Sequence, residues 1–279
     1  MAIYDKNGSM VDAVYSLTDE ISTAYDVRGN VVYTADSRPK LVVMSFNIQK
    51  QLQMNTKAFQ VAMIQEYKPD IIGMQEYRTV NDDRYDDYSY ETNDSAYVVN
   101  YNGVLSKYPF TSTVNSAFVN AGPSGDNQGY NAVHFEVGGK DILLVNTHLS
   151  FNDATRRKNQ SIEVYNMVTA SNADGYIITA DFNTYILSAS YSDYTDVYKQ
   201  FADIGCNFAN NGTQYGFTPT WYNGKSLAGS SEWYCLDSII TSPNIEITSS
   251  KIDKSKLTLA DGNYEIDHLP VIATLRIGD

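Results

Sequence analysis

Positive charge is scarce in this sequence. Lys and Arg number 20 against 33 Asp and Glu, for a net charge of −13. That shortage argues against a protein that grips nucleic acid through a broad basic face. It leaves room for a nuclease that makes few phosphate contacts or brings metal ions to the phosphate. No apolar run approaches the ~18 residues of a membrane span, so none is expected. Cysteine is almost missing: Cys206 and Cys235 lack CxxC spacing, which argues against a zinc site and leaves either two free thiols or one disulfide. The opening MAIYDKNGSMVDAV has no basic segment followed by an apolar one, so no signal peptide is read there. What is plentiful is tyrosine, 23 residues, in a chain otherwise of ordinary globular composition; that suits an exposed, secreted or particle-associated protein.

The 279 residues fit one large domain with an appendage. Residues 1–40 carry a weak repeat in which Tyr4, Tyr15 and Tyr25 each join a short apolar stretch to a polar turn. This predicts small hairpins, which cannot bury a core alone. Such an extension reads as a decoration or as an attachment module for a larger assembly, since short Tyr-Asp-x-x-Gly-Asn repeats resemble those near the ends of some phage structural proteins. Residues 41–279 alternate strands and helices. Strands are expected at 41–46, 70–74, 96–105, 133–137, 141–149, 176–180, 236–241 and 271–277, with helices at 56–67 and 153–170. In the first helix Phe59, Val61, Met63 and Ile64 are expected near one side. The mixture predicts an α/β layered fold without an internal boundary.

The polar residues at the strand ends are the informative feature. Apolar strands run into Asn47, Glu76, His148 and Asp181-Phe182-Asn183; Asp237 opens another strand, and Asp267-His268 precedes the last. Singly, each is ordinary turn, cap or Asx chemistry. A core strand, however, gains nothing from a terminal carboxylate or imidazole, whose desolvation is costly. Two of only three histidines lie in this set. Gathered at one sheet edge, these groups would form a pocket suited to a hard cation such as Mg²⁺.

Ser45-Phe46-Asn47, Gln75-Glu76, Asn146-Thr147-His148-Leu149, Ala180-Asp181-Phe182-Asn183, Leu236-Asp237-Ser238-Ile239-Ile240 and Ile266-Asp267-His268-Leu269-Pro270-Val271 stand in the order of the endonuclease/exonuclease/phosphatase superfamily, which the sequence resembles over 41–279. Asn102-Gly103-Val104-Leu105-Ser106-Lys107-Tyr108-Pro109 is similar to a further strand of that superfamily. The resemblance implies a deoxyribonuclease I-like four-layer α/β sandwich, two facing mixed β-sheets flanked by helices, and divalent-metal-dependent cleavage of phosphate esters. Carried over, Glu76 would be the central ligand for Mg²⁺ (or Mn²⁺ or Ca²⁺), with Asn47 and Asp267 beside it. Asp181 and Asn183 would orient water and a phosphate oxygen. Asp237 would pair with a catalytic histidine, and His148 and His268 would share acid–base and phosphate-binding roles. Asn102 would be a further phosphate contact. The sequence departs from the pattern at Ser238, where an aromatic residue is usual, and at Gln49, where deoxyribonuclease-like members often have Arg.

Three substrate readings follow. Arg78, just past Glu76, resembles the deoxyribonuclease-like form and favours an endonuclease acting on DNA. The run Arg156-Arg157-Lys158 would line the same cleft. A sphingomyelinase-like or small-molecule phosphodiesterase or phosphatase is the second reading, with Trp221-Tyr222 and Trp233-Tyr234 as its apolar loop. A non-catalytic structural module of a particle is the third.

Overall fold

Period-two alternation sorts the side chains of this chain into layers. The computed structural model describes residues 36–48, 54–77, 87–92, 102–119, 128–184, 196–209, 220–222, 233–253 and 268–278, with backbone alone at 54–58, 221–222 and 233–234, together with the backbone of four short strands before residue 35. The chain divides into two compact units, Met1–Pro39 and Lys40–Asp279.

In the first unit β1 (Ile3–Tyr4), β2 (Met10–Val11), β3 (Thr23–Tyr25) and β4 (Val31–Thr34) form one sheet of order β2-β1-β3-β4. β1/β2 and β3/β4 are antiparallel pairs, and the two join where Tyr4 stands opposite Tyr25. The middle unit of the repeat, around Tyr15, lies outside the described residues.

In the second unit β5 (Lys40–Asn47) leads through α1 (Met54–Tyr67) to β6 (Ile71–Gln75), which pairs with it in parallel. The antiparallel strands β7 (Tyr90–Glu91) and β8 (Asn102–Ser106) extend the sheet on one side, and β17 (Ile245–Ile252) and β18 (Val271–Ile277) on the other, in the order β17-β18-β5-β6-β8-β7. A second sheet repeats the plan. β11 (Lys140–His148) leads through α2 (Ala154–Ala170) to β12 (Gly175–Asp181), again parallel. The antiparallel β9 (Phe110–Ala117) and β10 (Gly129–Val137) lie on one side, β13 (Asn207–Phe208) and β16 (Asp237–Thr241) on the other, and β14 (Trp221–Tyr222) and β15 (Trp233–Tyr234) form a separate antiparallel pair.

Alternate residues of both sheets meet in one inner core: Leu41, Val43 and Ile71 from the first, Ile142, Leu144 and Ile177 from the second. The intervening residues face outward. Met44, Phe46, Ile72 and Met74 pack on Phe59, Met63 and Ile64 of α1. Leu143, Val145 and Ile178 pack on Val164 and Val168 of α2 and on Phe201 of α3 (Lys199–Asp203). Helix, sheet, sheet, helix makes a four-layer α/β sandwich. Val61 is only half-buried, because the buried side of α1 runs through 59, 60, 63 and 64. α1 stops where Lys68 turns left-handed (φ 44°) before Pro69. The strand expected at 96–105 is described only from Asn102 onward. The sequence reading missed β9 and β17 because both are edge strands rich in Ser and Thr, with much of β9 exposed. Cys206 and Cys235 are both free and buried.

Between the apolar inner core and the polar strand ends lies a buried seam of amides and hydroxyls. Asn146 Oδ1 accepts from Gln75 Nε2 (2.7 Å) and Thr179 Oγ1 (3.0 Å). Its Nδ2 donates to Met74 O (2.8 Å) and Gly103 O (3.0 Å) on the opposite sheet. Gly73 makes this approach possible, since a Cβ there would lie 2.0 Å from Thr179 Oγ1 and 2.7 Å from Asn146 Oδ1. Gly73→Ala is therefore expected to lower stability by about 1–3 kcal/mol through overpacking. Asn146→Leu, which fills much the same space but removes four buried hydrogen bonds, should cost on the order of 3 kcal/mol at about 1 kcal/mol for each bond lost. Urea unfolding of the two variants against the parent checks both values.

Candidate active site

Topology collects the polar strand ends. Asn47 and Gln75-Glu76 end the parallel pair β5 and β6; His148 and Asp181 end the parallel pair β11 and β12. Asp237 opens β16, which runs antiparallel to β12, and His268 precedes β18, which runs antiparallel to β5. Opposite chain directions thus bring strand starts and strand ends to one edge. Register does the rest: His148, Asp181 and Asp237 stand side by side across three strands, as do Asn47, Gln75 and Asn102 in the other sheet.

Asp181 is the hub. It is 1% exposed. Its Oδ2 accepts from Asn47 Nδ2 at 3.0 Å and lies 3.3 Å from His148 Nε2 and 3.6 Å from His268 Nε2. Its Oδ1 accepts from the backbone N–H of Asn183 at 2.9 Å. His268 faces carboxylates at both nitrogens, because its Nδ1 lies 2.9 Å from Asp237 Oδ2. An imidazolium in that position would hydrogen-bond Asp237 and face the Asp181 carboxylate at ion-pair distance.

Asp237 is fully buried, and among the described residues its Oδ1 has no hydrogen-bond partner. Burial pushes its carboxyl above the ordinary carboxylate range; the His268 imidazole pulls the other way and the Asp181 carboxylate adds to the rise. Thr220 fixes the backbone here. Its Oγ1 accepts from the N–H groups of Leu236 (3.0 Å) and Asp237 (3.1 Å), and its carbonyl accepts from Leu269 N (2.7 Å). Sequence reasoning missed Thr220, and nothing in its local pattern marks it.

Glu76 and Asn183 share another property. Both hold left-handed backbone angles, φ 58° and 50°, immediately beyond β6 and β12. Non-glycine residues rarely adopt that region, and such strain collects at functional sites. Glu76 is half-buried. Asn183 Nδ2 donates to Leu149 O at 2.9 Å.

The structure therefore brings together Asn47, His148, Asp181, Asn183, Asp237 and His268. Asn102 is buried beside Gln75 and donates from Nδ2 to Gly129 O at 3.0 Å, a bond between the two sheets. Arg78 and Asp267 lie outside the described residues. The basic run at the start of α2 does not line the cleft as a group. Arg156 pairs with Asp153 (3.4 Å), Lys158 with Asp196 (2.9 Å), and Arg157 is buried with its guanidinium on the carbonyls of Ser150 (2.6 Å) and Phe151 (3.2 Å). Helical spacing could have revealed this, because Arg157, Gln160, Ser161, Val164 and Val168 lie on one buried face.

Ligand atoms of Asp181, Asp237 and His268 lie within 4.8 Å of one another, close enough to hold one metal ion. Two carboxylates and an imidazole are ligand types that a divalent cation takes, and Asp237 Oδ1 is unengaged, but Asp181 Oδ2 and His268 Nδ1 already have partners in Asn47 and Asp237.

A profile of the Endonuclease/Exonuclease/phosphatase family matches residues 44–253. No curated protein sequence matches the chain. Among solved structures, TDP2 of Caenorhabditis elegans is 18% identical with a TM-score of 0.63, over 86% of this chain and 77% of that one. D. rerio TDP2 complexed with a single-strand DNA product is 17% identical with a TM-score of 0.66, over 86% and 100%. A Bacteroides thetaiotaomicron endonuclease/exonuclease/phosphatase family protein is 14% identical with a TM-score of 0.65, over 88% and 100%. Identities this low speak for the deoxyribonuclease I-like fold alone. The profile match spans most of the chain, and with it the protein belongs to the endonuclease/exonuclease/phosphatase family of phosphoesterases.

Proposed function

We propose that this protein hydrolyses phosphodiester bonds with the help of a divalent cation, and that its substrate is DNA. The observation that carries the reading is Asp181 Oδ2, a buried carboxylate oxygen within 3.6 Å of nitrogens from Asn47, His148 and His268. Fold stability alone gives no reason to gather two imidazoles around a buried carboxylate. A reaction that moves a proton beside a phosphate does.

Glu76 and Asn47, with Asp267, would hold Mg²⁺ or a similar ion through oxygen donors. The alternative trio Asp181–Asp237–His268 is already committed: His268 Nδ1 to Asp237 and Asp181 Oδ2 to Asn47, so an ion there would have to replace those bonds. Held there, the ion would supply Lewis acidity and neutralise charge on the phosphate. Asp181, held by Asn47 and by the Asn183 N–H, orients the attacking water and receives its proton. Asp237 fixes the ring and tautomer of His268. His268 and His148 donate to phosphate oxygens and protonate the leaving oxygen. Asn183 holds a further phosphate oxygen.

DNA is favoured by family membership and by the fold shared with a TDP2 that was captured with a single-strand DNA product. The net charge of −13 then implies a small footprint with few phosphate contacts. It is also what keeps a small-molecule phosphodiesterase as the second reading.

Two outcomes are expected. Single-stranded and plasmid DNA should be cut with Mg²⁺ or Mn²⁺ and spared with EDTA, and Asp181→Asn or His268→Ala should lower kcat by about 10²–10⁴-fold. Glu76→Gln should weaken Mg²⁺ binding in calorimetry, whereas Asp237→Asn should leave it intact; the reverse pattern would move the ion to the trio. Cleavage of bis-p-nitrophenyl phosphate but not of DNA would favour the second reading.

A third outcome concerns stability. A carboxyl raised by burial is penalised in its charged form, so its cost is absent below the ordinary value of about 4 and grows as pH rises through the raised value. Asp237→Asn should therefore melt higher than the parent at pH 7 while losing activity. The gap in Tm should close on titration toward pH 4.

A further inference from the structure

The groups given roles above would handle phosphate or protons, and none of them is assigned to the rest of the substrate. One residue beside it is unexplained. Phe151 is 65% exposed, while Phe46, Phe59, Phe118, Phe135, Phe182 and Phe201 are all buried. It follows His148 by three residues, a chain distance of at most about 10 Å, which one or two nucleotides cover.

The segment that presents it is built, not loose. Leu149 N donates to Asp181 O (2.9 Å), and Leu149 O accepts from Asn183 Nδ2 (2.9 Å), so its start is fastened to two site residues. Ser150 N donates to the buried Gln160 Oε1 (2.8 Å). Buried Arg157 holds the carbonyls of Ser150 and Phe151 itself. Asp153 then caps α2 by accepting from Arg156 N (2.9 Å). An exposed ring on a backbone tied down on both sides loses little entropy when something packs on it, the condition for a preorganised binding contact.

We propose that Phe151 is a substrate-binding residue on which a nucleobase next to the scissile phosphate stacks, with Arg157 as the positioning residue that presents it. The inference rests on the DNA-hydrolase reading above. A flat, sequence-tolerant stack suits a single ring flanked by polar Ser150 and Asn152. Insertion into a lipid surface calls instead for several apolar side chains and basic neighbours that are not already paired, and Arg156 and Lys158 are in ion pairs.

The test crosses the residue with the base. Phe151→Ala, Phe151→Leu and Phe151→Trp are assayed with Mg²⁺ on a single-stranded oligonucleotide and on a strand of the same length made of tetrahydrofuran abasic units. Phe151→Ala and Phe151→Leu should lower kcat/KM on the base-bearing strand by about tenfold, the scale of one lost stack. On the abasic strand they should stay within about twofold of the parent, and Phe151→Trp should keep the parent's preference for bases. Arg157→Lys should reproduce the loss on the base-bearing strand in weaker form. Parent-like turnover of the base-bearing strand by Phe151→Ala overturns the proposal, and so does an equal loss on both strands, which would make the loop merely structural. Loss of sedimentation with phosphatidylcholine–sphingomyelin vesicles in Phe151→Ala would assign the ring to lipid instead. If the parent cuts neither strand, the DNA-hydrolase reading fails by itself. Anisotropy of the same two strands, labelled with fluorescein, then decides on Phe151: weaker binding of the base-bearing strand alone supports the stack, and equal binding overturns it.

Discussion

The side chain of Asn146 is the contact on which the rest of this architecture depends. Two sheets facing each other bury their inner faces, and a buried amide must satisfy both its oxygen and its nitrogen. Asn146 does so by reaching from the second sheet to Gln75 Nε2 and to the carbonyls of Met74 and Gly103 in the first. Each such bond would be lost by a sliding of one sheet over the other. Apolar packing alone tolerates small shifts in register, whereas a satisfied polar network does not. Gly73 and Thr179 complete the seam, the first by having no side chain and the second by donating to Asn146 Oδ1.

That fixed register explains how the site can be assembled from six separate segments. Asn47 comes from the first sheet and Asp181 from the second, yet their side chains meet at 3.0 Å. Catalytic chemistry needs positions held to a fraction of an ångström. Here the seam lies one alternation below the site on each strand: Ser45 below Asn47, Asn146 below His148, Thr179 below Asp181. The inner face of each of these strands thus reads apolar, then structural polar, then the polar group proposed for the chemistry. Burial without full pairing at Asp237 and left-handed backbone at Glu76 and Asn183 are local costs that the seam and the layered core offset.

Much of this was legible in the sequence because alternation and polarity act over short distances. The buried strands were recognisable as apolar runs, and their polar ends stood out because a carboxylate at the end of such a run is costly. The limits have the same physical origin. β9 and β17 form sheet edges, where polar residues are favoured and the period fades. Thr220 acts through its backbone neighbours across more than fifteen residues of chain, and no local pattern encodes that. In the sequence Arg157 reads as part of a basic run lining the cleft. Its burial follows from the helical face it shares with Gln160 and Val164, a tertiary fact that outweighs its charge.

The two sheets are also built alike, and this bears on why the reactive groups share an edge. Each has a strand–helix–strand unit, β5-α1-β6 and β11-α2-β12, at its centre, with two antiparallel strands on either side. A parallel pair aligns its carboxyl ends, and ligands in α/β proteins bind outside those ends. One such pair supplies Asn47 and Glu76, the other His148 and Asp181. Placing both pairs with their carboxyl ends at the same edge doubles the number of side chains that converge on one point. The antiparallel neighbours then add residues from strand starts, Asp237 and His268, which no purely parallel sheet could deliver there. The division of labour follows the same line. The first pair brings the oxygen donors proposed for the cation, and the second brings the carboxylate and imidazole proposed for proton transfer. A substrate phosphate bridging the two would lie across the mouth between the sheets, where the Asn146 seam has already fixed their separation.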